Sequence, residues 1–523
     1  MDSHRRVAPN RIDAHRLNSP FSCFDWVEAN LAPTDAILRC FSLARILEAK
    51  SFIEEEISAT GIVLEENNEI LGMAADYRMT GLKRVSFWSV LINDPAKVGK
   101  AGVEALLGYA IFKRDVVPSR AIDQWHVFEA VFNKYPHEHN CVPNPGEYHV
   151  RVGNEEVSIP GVLYAQQNGL NKVCAHVALR SLLSRRVPAG DVSYTTINRL
   201  AKKVDPGWLP EGGLGPPHIR AILSHFKVPF RDIDYADEEK KSTTKDIRKT
   251  HPFQKFVYAG IESGCGALLG FGMAGPKAGN ERHIIPFFGH TFNKDTWVPD
   301  ADIAYFNVGG GLDYIPSESW TSSFLGHDDN FGPNLCIPRL YVAPEKADYV
   351  VELLHDQVTY SGVHAEAVSL LFLDSLRPHI AKNPNPWMKR LSAAAGTEPS
   401  RVVLRAVCIP RAAYIRHVRE EKDWCGRQEA PALVNILEKF LPKMLWVVEV
   451  SLPHIFPATE NKLDEILLNP FVPFDADKPF NSDLFLVARL PGCLYMLESP
   501  ADGSPDFMEV PSNCTSRRPL VKM

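Results

Sequence analysis

A thiol, an imidazole, a carboxylate and a side-chain amide make up a working set for cysteine-based acyl chemistry. The thiolate attacks, the imidazole trades protons, the carboxylate orients the ring, and the amide helps to hold the oxyanion. In QQNGLNKVCAHVALRSLL, Cys174 stands where a polar, Gly-containing loop turns into a helical pattern that Val177, Ala178 and Leu182 continue. A sulfur at a helix N-terminus sits beside unpaired N–H groups and the positive end of the dipole, and both favour thiolate. His176, two residues beyond the cysteine and about 200° round a helix, faces away from it and reads as structural. Downstream, FVYAGI reads as a strand, Ser263-Gly264 as a turn, ALLGFG as a buried strand, and RHIIPFFG–HTFNKD–TWVPDA as a hairpin. That register sets His283 opposite Asp300 or Asp302 across the ladder. His290 falls at the hairpin tip beside Asp295, and these two form the alternative base and acid. A base held by rigid strands is better oriented than one in a turn, so His283 with Asp300 is the expected pair.

Elements on either side must bring these residues together. The chain has 523 residues, enough for about three domains. Residues 34–57 open as a helix capped by Thr34 or Asp35, with Ile37, Cys40, Phe41, Ala44 and Leu47 on one face. IVLEE and VSFWSVLI read as strands. YPHEHNCVPNPGEYH reads as a loop, and it places a border near residue 155. GGLGPPHIRAILSHFKVPF carries a helix with Ile219, Ile222, Leu223 and Phe226 on one side. DYADEEKKSTTKDIRK (234–249) reads as a solvated loop. Beyond a second border near 340, VHAEAVSLLFLDSL and PALVNILEKFL read as helices, and LWVVEVSL and LFLVARL as strands. The expected organisation is an α+β region over 1–155, a catalytic domain over 156–340, and an α+β region over 341–523. The outer regions are assigned no chemistry of their own, and the C-terminal one is a candidate for substrate or partner recognition.

Over residues 160–305 the order of these features resembles the papain-like cysteine peptidase superfamily. In spacing it is closest to the bacteriocin-processing (double-glycine leader) peptidase branch. The matching features are the cysteine opening a helix, the Gly-rich turn and strand IESGCGALLGF, and a histidine starting an apolar strand that ends in Gly289. An acid, Asp300, follows seventeen residues on. The resemblance implies an α+β fold in which the Cys174 helix packs on an antiparallel sheet carrying His283 and Asp300. It implies a Cys174–His283–Asp300 triad with Gln167 in the oxyanion hole, no cofactor, and a protein or peptide substrate. The chain departs from the pattern where Gln167 lies seven rather than six residues before the cysteine, with Asn168 at six, and where Ala175 follows it in place of the commoner Gly or Trp. Three functions fit: hydrolysis of a peptide or isopeptide bond, acyl transfer of the transglutaminase kind, and an inactive papain-like interaction module.

Composition narrows the field further. The formal net charge is −6 with no dense basic block, which speaks against a nucleic-acid scaffold. Ten cysteines lie scattered without a CxxC pair, so neither a disulfide framework nor a zinc ribbon is indicated. No run reaches the ~18 apolar residues of a membrane span, and the N-terminus lacks a signal-type apolar core; a cytoplasmic location is expected. His137, His139 and Cys141 could share a strand face as metal ligands, but the flanking prolines indicate a loop and no metal is expected. Gly309–Gly311 lacks the lysine and helix of a phosphate loop. Cys265 reads as a packing residue.

Overall fold

The structure is a computed structural model. It describes residues 9–17, 20–133, 140–187, 190–241, 247–272, 282–291, 314–380, 389–390, 393, 402–423, 426–456, 464–471, 484–498, 506–514 and 520. Helices and mostly antiparallel strands alternate in an α+β arrangement. The chain forms two compact units. The first takes Met1–Val228, Leu268–Gly289 and Phe324–Ile337, and the second takes Pro229–Ala267, His290–Ser323 and Pro338–Met523.

The first unit opens with a five-stranded antiparallel sheet of Pro9–Arg16, Ser51–Ile57, Arg78–Trp88, Leu106–Val117 and Ile122–Phe132, paired in chain order. The helix Asp35–Ile46 starts where expected, with Thr34 Oγ1 accepting the Ile37 N–H at 3.3 Å. It lays Ile37, Cys40, Phe41 and Ala44 on the sheet. Phe41 meets Phe52 and Phe87 edge-on, with centroids 5.8 and 5.1 Å apart. Its register ends early: Ser51–Ile57 is a strand. IVLEE is helical, part of Gly61–Met73, and its buried Val63, Glu66 and Ile70 show the helical spacing that a short apolar run conceals.

A hairpin of Gly146–Val152 and Glu155–Gly161 follows. After it come the helices Cys174–Leu183, Tyr194–Val204 and Pro216–His225. Four strands then line up in the order Gly332–Pro338, Ser323–Asp328, Arg282–Thr291, Ala267–Gly272. No break falls at the expected border of 155. The reason is local: Tyr164 exchanges both backbone hydrogen bonds with Ala130, at 2.8 Å each, and Gln166 N–H reaches Val127 O at 2.8 Å, so the segment past 155 is stitched to the first sheet. The expected 156–340 domain is shared between the units, and the second expected border lies close to the crossing after Ile337.

In the second unit the strand Tyr314–Pro316 runs parallel to Val402–Pro410. Met444–Ser451, Asp464–Leu468, Phe485–Leu490, Cys493–Glu498 and Asp506–Pro511 continue the sheet antiparallel. Alternation along Val402–Pro410 buries Leu404, Ala406 and Cys408 with Trp446 and the helix Gly362–Ile380. Val407 faces the other way, with Tyr414 and Leu437 of the helices Arg411–Glu420 and Pro431–Phe440. Two local expectations change here. FVYAGI is part of the helix Phe253–Glu262, whose Phe253, Phe256, Val257 and Ile261 fall at helical spacing only when the residues before FVYAGI are read with it. Residues 235–241 and 247–250 are helical rather than loop.

Candidate active site

Cys174 is the first residue of its helix, and a network of amides fixes the loop that leads to it. Asn168 Oδ1 accepts N–H bonds from Leu170, Asn171 and Lys172 at 2.9, 3.2 and 3.4 Å. Asn198 Nδ2 donates to Asn171 O at 2.9 Å. His176 is structural, as expected. Its Nδ1 accepts the Val173 N–H at 3.3 Å, its Nε2 meets Asn198 Oδ1 at 2.8 Å, and burial takes the ring down to about 4, so it is neutral. With these bonds made below it, the helix presents a half-buried sulfur at its N-terminus.

His283 is the second residue of the strand Arg282–Thr291, and the Cys174 side chain is among the groups that raise the pKa of its ring. Nε2 lies 3.1 Å from Asp328 Oδ2 and 3.5 Å from Asp329 Oδ1. Phe271, on the neighbouring strand, packs edge-on against the ring at 5.7 Å. The Asp328 strand is itself anchored: His327 Nε2 bonds Val162 O at 3.1 Å, and Tyr164 O–H donates to Asp329 O at 3.2 Å. Segment 162–167 therefore braces the acid as well as leading to the cysteine.

The electrostatics follow from this geometry. Burial opposes a charge on His283, but hydrogen bonds to Asp328 and Cys174 and the charges of Asp329 and Asp328 override it and raise the ring to about 10. Burial also works against Asp328, yet bonds from His283, Asn330 N–H and Phe331 N–H hold its carboxyl below the usual range. Asp329 is pushed up to about 6 by burial, with His283 pulling it back and Asp328 pushing it further. The ring's folded value exceeds its ordinary one near 6.5, so the stability it contributes is complete below pH ~6.5 and fades as pH rises through about 10. The stability gap between the wild type and Asp328→Asn, read from urea midpoints, should accordingly be wide at pH 6 and close towards pH 10.5. A gap that widened over that range would contradict the clamp.

Of the residues expected from sequence, the structure brings the Cys174 side chain near enough to the His283 ring to raise its pKa. His290, seven residues along the same strand, lies about 23 Å away from His283 at ~3.3 Å per residue and on the opposite face. Its Nε2 pairs with Glu262 Oε1 at 2.5 Å, and Arg405 binds the other carboxylate oxygen, so His290 serves a buried ion-pair network instead. Asp295, Asp300 and Asp302 lie outside the described residues, as do His137, His139 and Gly309–Gly311. Gln167 Nε2 donates to Asn330 Oδ1 at 3.1 Å. Asn168, the other candidate amide, turns inward and gives its N–H groups to Glu66 and Asn171. Cys265 is buried just before the strand Ala267–Gly272, as a packing residue would be.

Sequence reasoning missed Asp328, Asp329 and Asn330. Their signal was the acid pair closing SFLGHD before the turn DNFG, 45 residues from His283.

Among the described residues, the first unit holds two groups with the composition of metal ligands. His283, Asp328 and Asp329 place one donor each within 4.8 Å of one another, as do Glu66, Asp115 and His126. In the first, Nε2 already bonds a carboxylate. In the second, the Lys113 and Lys172 ammonium groups already balance the two acids, at 2.8 Å and 3.1 Å from Glu66 and 3.1 Å from Asp115. No protein-family model, curated protein or solved structure matches the chain. No helix among the described residues is long and apolar enough to cross a membrane.

Proposed function

We propose that the protein is a cysteine hydrolase that cleaves a peptide or isopeptide bond in a protein partner, using Cys174 as nucleophile, His283 as acid and base, and Asp328 as the orienting carboxylate. The supporting observation is the His283 ring, held by Asp328 Oδ2 at 3.1 Å and raised towards its charged form by Asp328 and the Cys174 side chain together. A neighbouring imidazole and a helix N-terminus are general features of reactive cysteines.

In the proposed reaction Cys174 Sγ forms a bond to the carbonyl carbon, and the electron pair moves onto oxygen. The Cys174 backbone N–H and the Gln167 amide are the donors for that oxyanion. On collapse the C–N bond breaks, and the leaving amine takes the proton of the His283 imidazolium. Water then adds to the acyl carbon and gives a proton to His283. The C–S bond breaks, releasing the acid and restoring the thiolate–imidazolium pair. A papain-like core remains the architecture we assign to this site, with Asp328 in the place expected for Asp300. The eight described cysteines form no disulfide with one another, which suits a reducing compartment such as the cytoplasm.

Iodoacetamide tests the reading without a known substrate. At pH 6 it should alkylate Cys174 at least about ten-fold faster than a small free thiol, and His283→Ala should erase the difference. A wild-type rate equal to that of the free thiol would sink the proposal.

A further inference from the structure

Resting on the cysteine-hydrolase reading, we infer that Asn330 is a positioning residue that aims the Gln167 carboxamide at the oxyanion and ties it to the carboxylate orienting His283. Asn330 sits in the turn between the strands Ser323–Asp328 and Gly332–Pro338. Its backbone N–H donates to Asp328 Oδ1 at 2.9 Å, and the Phe331 N–H donates to the same oxygen at 3.2 Å. Asp328 Oδ2 is left for His283. The Asn330 side chain points the other way along this relay, and its Oδ1 accepts Gln167 Nε2 at 3.1 Å.

A primary amide carries two N–H donors. The bond to Asn330 occupies one of them and so sets the direction of the second, which a half-buried glutamine would otherwise sample over several rotamers. The neighbouring amides are committed elsewhere: Gln166 Oε1 accepts the Val127 N–H at 3.0 Å, and Asn168 is bonded within its own loop. This accounts for the seven-residue spacing between Gln167 and Cys174. The amide at six residues is spent on shaping the nucleophile loop, and the one at seven is brought to the site by a residue from a different strand turn. Asn330 is exposed, so no core packing depends on it.

Two reagents separate this role from a purely structural one. With p-nitrophenyl acetate, Cys174 Sγ bonds the acyl carbon and negative charge gathers on the carbonyl oxygen. The C–O bond then breaks, and p-nitrophenolate leaves with the electron pair. With iodoacetamide, the sulfur displaces iodide from a CH2 group, and no oxyanion forms. Asn330→Ala should slow acylation of the full-length protein by about ten-fold while alkylation stays within about two-fold of wild type. Cys174→Ala supplies the blank for Cys336, which is exposed. Gln167→Ala should show the same split, and adding Asn330→Ala to it should cost nothing further.

Equal losses with both reagents would mean that Asn330 acts only by holding Asp328, and would overturn the inference. Unchanged acylation, or losses that multiply in the double variant, would overturn it too. A wild type with no rate advantage in either reaction removes the hydrolase reading itself, an outcome distinct from all of these.

Discussion

Asp328→Asn is expected to slow acylation of Cys174 by roughly 10³-fold, while Asp300→Asn stays within about two-fold of wild type. The asymmetry follows from one bond. His283 has a single Nε2, and Asp328 Oδ2 lies 3.1 Å from it. The other oxygen of that carboxylate is fixed by two backbone N–H groups, so Asp328 cannot rotate away without breaking them. An amide in its place still fills the space, but it loses the charge that stabilises the imidazolium and turns a donor towards a donor. Removing the equivalent carboxylate from a serine triad costs about 10⁴; a smaller loss is expected here because a thiol relies less on its base than a hydroxyl does. Asp329 does not substitute. It lies 3.5 Å from Nε2, and burial favours its protonated form up to a pH of about 6. Initial rates with p-nitrophenyl acetate at pH 7, with urea midpoints to confirm folding, decide the matter. A loss on Asp300→Asn that matched the loss on Asp328→Asn would return the acid to its sequence-expected place.

How far the sequence led can be followed through the same residues. Cys174 was legible because a helix N-terminus has a local signature: a polar, Gly-containing loop followed by an apolar stripe. His283 was legible because a strand start has one too. The acid had none. Its expected position rested on pairing the His283 strand with the next segment of chain, the commonest arrangement. Among the described residues the neighbours of that strand are Ala267–Gly272 and Ser323–Asp328, with Asn140–Cys141 also pairing to it, and no period in the sequence records a partner 45 residues away. FVYAGI failed for a different reason. Six residues alone are too few to show a period, and the helical spacing of Phe253, Phe256, Val257 and Ile261 emerges only over the ten residues of the helix. The border at 155 failed because backbone bonds at Ala130 and Val127 carry the first sheet across it. The helix starts at Asp35 and Cys174 have local signals that the structure bears out, whereas short apolar runs and pairings between distant segments do not carry enough local information to place them.

That pairing also makes a glutamate far from the sulfur decisive. Glu66→Gln is expected to destabilise the first unit by about 3–5 kcal/mol and to take the reactivity of Cys174 with it. Glu66 projects from the helix Gly61–Met73 and is fully buried. It accepts from Lys113 at 2.8 Å, from Lys172 at 3.1 Å and from Asn168 Nδ2 at 3.2 Å. Lys172 and Asn168 belong to the loop that ends at Cys174, so this carboxylate fastens the N-terminal region to the Cys174 loop. Burial and the neighbouring Lys113 charge already bring Lys172 down to about 8, against the pull of Glu66. Without Glu66 its folded value falls further below the ordinary ~10.4, and folding must release a proton. The unfolded chain then binds more protons than the folded one, so the variant should regain stability as pH rises from 7 towards 10. Adding Lys172→Met to Glu66→Met should recover much of the loss, because an apolar pair of similar volume leaves no stranded charge between them. Urea midpoints across that pH range, read beside hydrogen exchange of the 168–173 amides, test both parts. If Glu66→Gln melted like the wild type while those amides stayed protected, the anchor would have to be sought in the Asn171 and Asn198 bonds to Glu69, at 2.8 and 3.0 Å, instead.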